Sequence, residues 1–172
     1  MFKIIAITAC ALAISSCASV KNIVNAPDTM PPTPKTTPAI NAPKGLVTMP
    51  SPHSVQDTAD KLVAIIESKG MKIFARVDHQ KNAQGADLTL RPTQVIMFGN
   101  PKVGTPLMNC EQSVAIDLPQ KILISEDAAQ KVWLSYNHPT YLKERHHLTG
   151  CDTQLTNIAK ALNGISKAAT AQ

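Results

Sequence analysis

The placement of proline constrains this chain more than any other feature. Eight of its 13 prolines fall between Pro27 and Pro52, and the other five (Pro92, Pro101, Pro106, Pro119, Pro139) are spread over the remaining length. Proline fixes φ and removes a backbone donor, so a dense run of it supports neither helix nor sheet. The fold must therefore lie downstream of a tether. From Ala18 to Gly45 the chain reads ASVKNIVNAPDTMPPTPKTTPAINAPKG, with no helical or strand periodicity. This predicts a linker stiffened toward polyproline II, reaching roughly 80 Å at about 3.1 Å per residue, with spacing as its simplest role.

A different pattern stands ahead of the tether. Lys3 is followed by the apolar run IIAITACALAI, Ile4 to Ile14. Eleven residues are too few for a spanning helix, which needs about 20, but they suit the apolar core of a secretory signal. The next residues, Ile14-Ser15-Ser16-Cys17, resemble a bacterial lipobox. The resemblance implies a diacylglyceryl group on Cys17 and cleavage before it, with Cys10 lost in the signal. The alternative is an ordinary signal with an incidental cysteine. Two or three acyl chains anchor firmly where one would not. Ala18, where an aspartate would retain the protein at the inner membrane by analogy with Gram-negative sorting, points to the periplasmic face of the outer membrane. The expected organisation is a signal peptide over 1–16, a lipidated cysteine and linker over 17–45, and a domain over 46–172.

Within the domain, LVTMP reads as a first strand. Ser54 and Asp57 form a helix-start signature ahead of a stripe of Val55, Ala59, Leu62, Val63 and Ile66, and Gly70 ends it. Met71, Ile73, Ala75 and Val77 alternate with Lys72, Phe74, Arg76 and Asp78, which predicts a strand with one apolar face. Gln80 to Asp87 reads as a polar connection, and Val95 to Phe98 as a short buried strand. Asn100 to Gln112 reads as irregular or partly helical. Val114–Asp117, Lys121–Ser125 and Val132–Tyr136 are strand candidates, the last two joined by the turn EDAAQK. A short helix is predicted from Pro139, and a final one on the stripe Leu155, Ile158, Ala159, Leu162 and Ile165. The fold class is α+β, a two-layer sandwich with a mainly antiparallel sheet and two helices on one face.

The blocks IFARVDH, LRPTQVIMFGNPKVGTPLM, IDLPQKILI and VWLSYNHPTYLKERH, in that order, resemble domain-of-unknown-function family 302 (DUF302) over most of the chain from about His53 to Leu148. The resemblance implies a sandwich similar to the TATA-box-binding-protein fold, a similarity of fold that carries no DNA binding with it. It implies no established activity.

The polar residues of these blocks are the candidate ligand or catalytic set: Asp78, His79, Arg91, Asn100, Thr105, Asp117, Lys121, Tyr136, Asn137, Arg145 and His146. Asp78 and His79 are neighbours on a strand and would point to opposite faces, so they form no dyad without a bulge. Structural ion pairing among Asp78, Arg91, Asp117 and Arg145 is the plainer reading. The loop GNPKVGTP lacks the lysine of a Walker motif, Thr105 standing in its place, and reads as a shaped turn. His79, His138, His146, His147 and Cys151 lack paired metal-ligand spacing, so no metal and no cofactor is expected. Cys110 and Cys151 remain after processing, 41 residues apart, and in an oxidising compartment one disulfide is expected, stabilising by about 4 kcal/mol in the chain-entropy account.

The formal charge is +5, and losing Lys3 with the signal leaves +4. There is no basic run, and six aromatics offer little for stacking bases, so nucleic acid is not an expected partner. The expected partners are the membrane, through the lipid, and a small molecule or envelope component. The leading expectation is a membrane-anchored small-ligand or partner-binding module. The alternatives are an enzyme using a His/Asp/Arg polar site and a purely structural envelope protein. Convergence of the polar residues on one concave pocket separates the first two from the third.

Overall fold

The computed structural model describes residues 45–172. The signal, Cys17 and all but the last residue of the linker lie outside the described residues. Five strands form one antiparallel sheet in the order β1-β5-β4-β3-β2. They are β1 (Leu46–Ser51), β2 (Lys72–Asp78), β3 (Thr93–Gly99), β4 (Gln120–Glu126) and β5 (Val132–Asn137). Two long helices, α1 (Val55–Ser68) and α5 (Asp152–Ala169), pack on one face and against each other. This is the α+β sandwich expected from the element order.

Local chemistry fixes the first helix. Ser54 Oγ accepts the Asp57 N–H at 3.0 Å and donates its own proton to Asp57 Oδ2 at 2.7 Å. The stripe then buries Val55, Ala59, Leu62 and Ile66, and Gly70, at φ +68°, turns the chain into β2. Leu62 and Ile66 are wholly buried, each contributing about 1.5–3 kcal/mol of burial. They meet Ile96, Ile122, Ile124 and Leu134 on the sheet and Leu162 and Ile165 on α5 in one core.

Four expectations are corrected. The apolar alternation in β2 does not make a single face, because a bulge falls between Ile73 and Ala75. Ile73 pairs with Phe98 on the helix side, whereas Ala75 pairs with Met97 on the opposite side. Since one extra residue reverses every later side chain, Arg76 faces the helices and reaches Gln94 and Asp60. The polar connection contains a short helix, α2 (His79–Gln84), capped by Asp78 Oδ1 on the Lys81 N–H at 3.0 Å. The segment read as irregular or partly helical, with GNPKVGTP as a shaped turn, is a continuous helix, α3 (Pro101–Cys110), with Asn100 Oδ1 capping the Lys102 N–H at 2.9 Å and Pro101 in its first turn. Val114–Asp117 is no strand but part of a 3₁₀ helix, Gln112–Asp117, started by Glu111 on the Ser113 N–H. In the last three cases a side-chain cap decided the local conformation. The final short helix, α4, is Pro139–Arg145.

Candidate functional site

At one end of the sheet α5 and α3 stand apart and leave a cavity of about 600 Å³. Its floor is Phe98, Gly99 and Gln120, where the end of β3 pairs with the start of β4. One wall is Ile158, Leu162 and Ile165 of α5, and the other is Val103, Gly104 and Leu107 of α3. Two glycines keep it open: a Cβ at Gly99 would come to 3.6 Å from Phe74 and one at Gly104 to 3.7 Å from Leu118, ordinary contacts that would take up free space. Cys110, at the end of α3, is bonded to Cys151, the residue ahead of α5, with Cα atoms 6.6 Å apart. The disulfide thus ties the two helical walls together.

The lining is mainly apolar, with a few polar groups: Lys69, Asn100, Thr105, Gln120 and Asn157. Among the described residues no carboxylate lines it. Gln120 Nε2 is buried there with no hydrogen-bond partner. A buried amide donor without an acceptor is unfavourable by about 1–3 kcal/mol, so it marks a place where an acceptor is wanted. At the rim Phe74 and Val103 remain 48% and 45% exposed, high for apolar side chains of this size. The bulge beside Phe74 places its ring here rather than in a regular pleat.

A second polar cluster lies on the 3₁₀ helix and the end of α4. Asp117 Oδ2 stands 2.6 Å from His146 Nε2, and Asp117 Oδ1 accepts from Arg145 Nη1 at 3.3 Å. On the other side of the ring, His146 Nδ1 is 3.0 Å from Ser113 Oγ. The His146 side chain is only 6% exposed, and its two ring nitrogens face different partners, Nε2 the Asp117 carboxylate and Nδ1 the Ser113 hydroxyl. Lys121 Nζ binds the carbonyl oxygens of Asp117 and Pro119, fixing the turn into β4. Ser113 also donates its N–H to Glu111, which with its hydroxyl holds the Glu111 carboxyl below the usual range.

The sequence-selected residues therefore divide. Asn100 and Thr105 reach the cavity. Asp117, Lys121, Arg145 and His146 gather in the second cluster. The others stand elsewhere. Asp78 caps α2, whose first residue is His79, so the two are not neighbours on one strand. Arg91 Nε donates to the Glu126 carbonyl at 3.0 Å, and Asn137 closes β5 opposite Leu46. Tyr136 is buried in the core, which pushes its phenol pKa up. Of the ion pairs expected among Asp78, Arg91, Asp117 and Arg145, Asp117–Arg145 forms, while Asp78 pairs with Lys81. Sequence reasoning missed Lys69, Phe74, Gln120, Asn157 and Ser113. The Gly99–Gly104 spacing was the one available signal for the cavity.

The family model "Domain of unknown function DUF302" matches residues 47–165. The chain belongs to the DUF302 family. A crystal structure of an uncharacterized conserved DUF302 protein from Bacillus stearothermophilus superposes with a TM-score of 0.67, covering 74% of this chain and 99% of that one at 16% identity. At that identity the likeness is one of fold. The chain is also 47% identical over 104 residues to fluoride-specific ion channel FluC 1 of Brucella suis biovar 1 (strain 1330), covering 60% of this chain and 41% of that protein. FluC 1 of Brucella abortus biovar 1 (strain 9-941) matches at 47% over 104 residues, 60% of this chain and 38% of the relative. The DUF302 chain thus spans about two fifths of the curated relatives it matches.

Proposed function

We propose that this DUF302 protein is a lipid-anchored envelope module that binds a small, mainly apolar molecule in the cavity between α3 and α5. The observation that carries the reading is the cavity itself. A volume of about 600 Å³ lies inside the range of about 300–1,000 Å³ used by small-molecule sites, and apolar walls with a few placed polar groups are their usual chemistry. Anchoring through Cys17, on the periplasmic face of the outer membrane, rests on the Ile14-Ser15-Ser16-Cys17 sequence. The similarity to part of a membrane channel supports a place beside a membrane. We do not assign fluoride conduction: the match spans about two fifths of the channels, and no helix among the described residues is long and apolar enough to cross a membrane.

Mass spectrometry of ligands carried by the natively purified protein tests the binding reading. A stoichiometric apolar molecule released on denaturation is expected, and protein that carries none and takes up none of a panel of aliphatic and aromatic compounds contradicts it. Cys17→Ala should move the protein from the membrane to the soluble fraction, and sedimentation with membranes would count against the anchor.

A second reading is supported by one observation, the Ser113–His146–Asp117 hydrogen-bond chain. In it a carboxylate faces one imidazole nitrogen and a hydroxyl faces the other, the order of groups in a serine nucleophile site. It ranks second because none of the three residues lines the cavity and Asp117 is shared with Arg145. Labelling of Ser113 by a fluorophosphonate, lost in His146→Ala, would bring it forward. Absence of labelling would leave the cluster as a tie between the 3₁₀ helix and α4.

A further inference from the structure

We propose that the cavity selects a single-chain amphiphile with an anionic head, a long-chain carboxylate, held with its chain along the Phe98, Leu107, Ile158 and Leu162 walls and its head toward Lys69. The proposal rests on the cavity reading above and adds the class of ligand. Three observations carry it. Among the described residues Lys69 is the one charged residue lining the cavity, and it is exposed at the end of α1, at the rim. Lys72 stands beside the same rim, its Nζ 5.4 Å from the centroid of the Phe74 ring that lines the mouth. Among the described residues no carboxylate pairs with either lysine.

These groups discriminate among heads on the same chain. A carboxylate offers acceptors only, which suits two ammonium groups. A quaternary ammonium head would meet the lysines as like charge. A hydroxyl head could pair with a donor but would gain nothing from the positive rim. The apolar chain contributes equally in all three, so head preference reports the rim and not the walls.

The test is calorimetric titration of the full chain carrying Cys17→Ala, without detergent and below micelle concentrations, with dodecanoate, dodecanol and dodecyltrimethylammonium. Dodecanoate is expected to bind most tightly, by about fivefold over dodecanol at low salt, with the gap narrowing as salt rises. Lys69→Glu, at an exposed position, should abolish that preference and favour the ammonium probe. Equal affinities for all three heads, or no effect of Lys69→Glu, overturns the anionic assignment and leaves the cavity reading standing. Failure of all three probes to bind overturns both.

Discussion

Ala161 offers a way to close the cavity without disturbing the core. It lines the cavity from α5 yet is itself exposed, so a large side chain there has somewhere to go. Ala161→Trp gives up about 0.5–0.7 kcal/mol of helix propensity. An indole laid half-buried across the apolar walls covers on the order of 100 Å², stabilising by up to about 2.5 kcal/mol at about 25 cal/mol per Å². The net effect on folding should lie between about 1 kcal/mol destabilising and about 2 kcal/mol stabilising. That is a change of a few degrees in Tm for a domain of this size. Apolar ligand affinity should fall at least about tenfold, or about 1.4 kcal/mol, because the indole occupies the space the ligand would fill. Thermal melting by circular dichroism and calorimetric titration of one aliphatic probe measure the two effects on the same sample. A variant that melts normally and binds the probe with unchanged affinity would show that the ligand lies outside this cavity.

Other perturbations probe the frame around the site. Asp117→Ala removes the carboxylate from the largely buried His146 ring and should destabilise by about 1–3 kcal/mol in denaturant titration, and an unchanged midpoint would mean that water replaces the contact. Gly45→Ala places a methyl 2.5 Å from Tyr141 Cβ at φ +82°, and the backbone alone should cost about 1–2 kcal/mol, with the clash adding to it. The Arg76 guanidinium, bonded to Asp60, holds that carboxyl below the usual aspartate range. A lowered folded-state pKa means its contribution is present above the unfolded value, about 4, and is lost as pH falls through the folded one. Asp60 is 52% exposed, so the gap between the native protein and Arg76→Gln should be about 0–1 kcal/mol at pH 6 and shrink below about pH 4, and a gap that grew on acidification would reverse the assignment.

The sequence made the layers legible because the long amphipathic stripes and the Ser54 and Gly70 boundaries are local signals, each readable within one or two helical turns. The antiparallel character of the sheet followed from the β4–β5 turn and the run of consecutive strands, whereas the place of β1 beside β5 carried no local signal. The β2 bulge was not legible: alternation from Ile73 to Val77 is unbroken in the sequence, and only pairing with β3 shows that one residue is skipped. α2, α3 and the 3₁₀ helix were missed or only partly read because Asp78, Asn100 and Glu111 each look like ordinary polar loop residues until their caps are seen. The site suffered most. Lys69 and Gln120 lie far apart in sequence and meet at one cavity only after the sheet has formed, and neither carries a motif. His146 and Asp117 were selected for their chemistry, whereas Ser113 was passed over just ahead of a segment read as a strand.

Whether a ligand sits between α3 and α5 is tested by methyl-resolved NMR of the protein during titration with dodecanoate. Saturable shifts are expected at Leu107, Ile158, Leu162 and Ile165, residues that line the cavity. Shifts confined instead to Val77, Val95 and Leu123 on the opposite sheet face, or no saturable shifts at all, would contradict it.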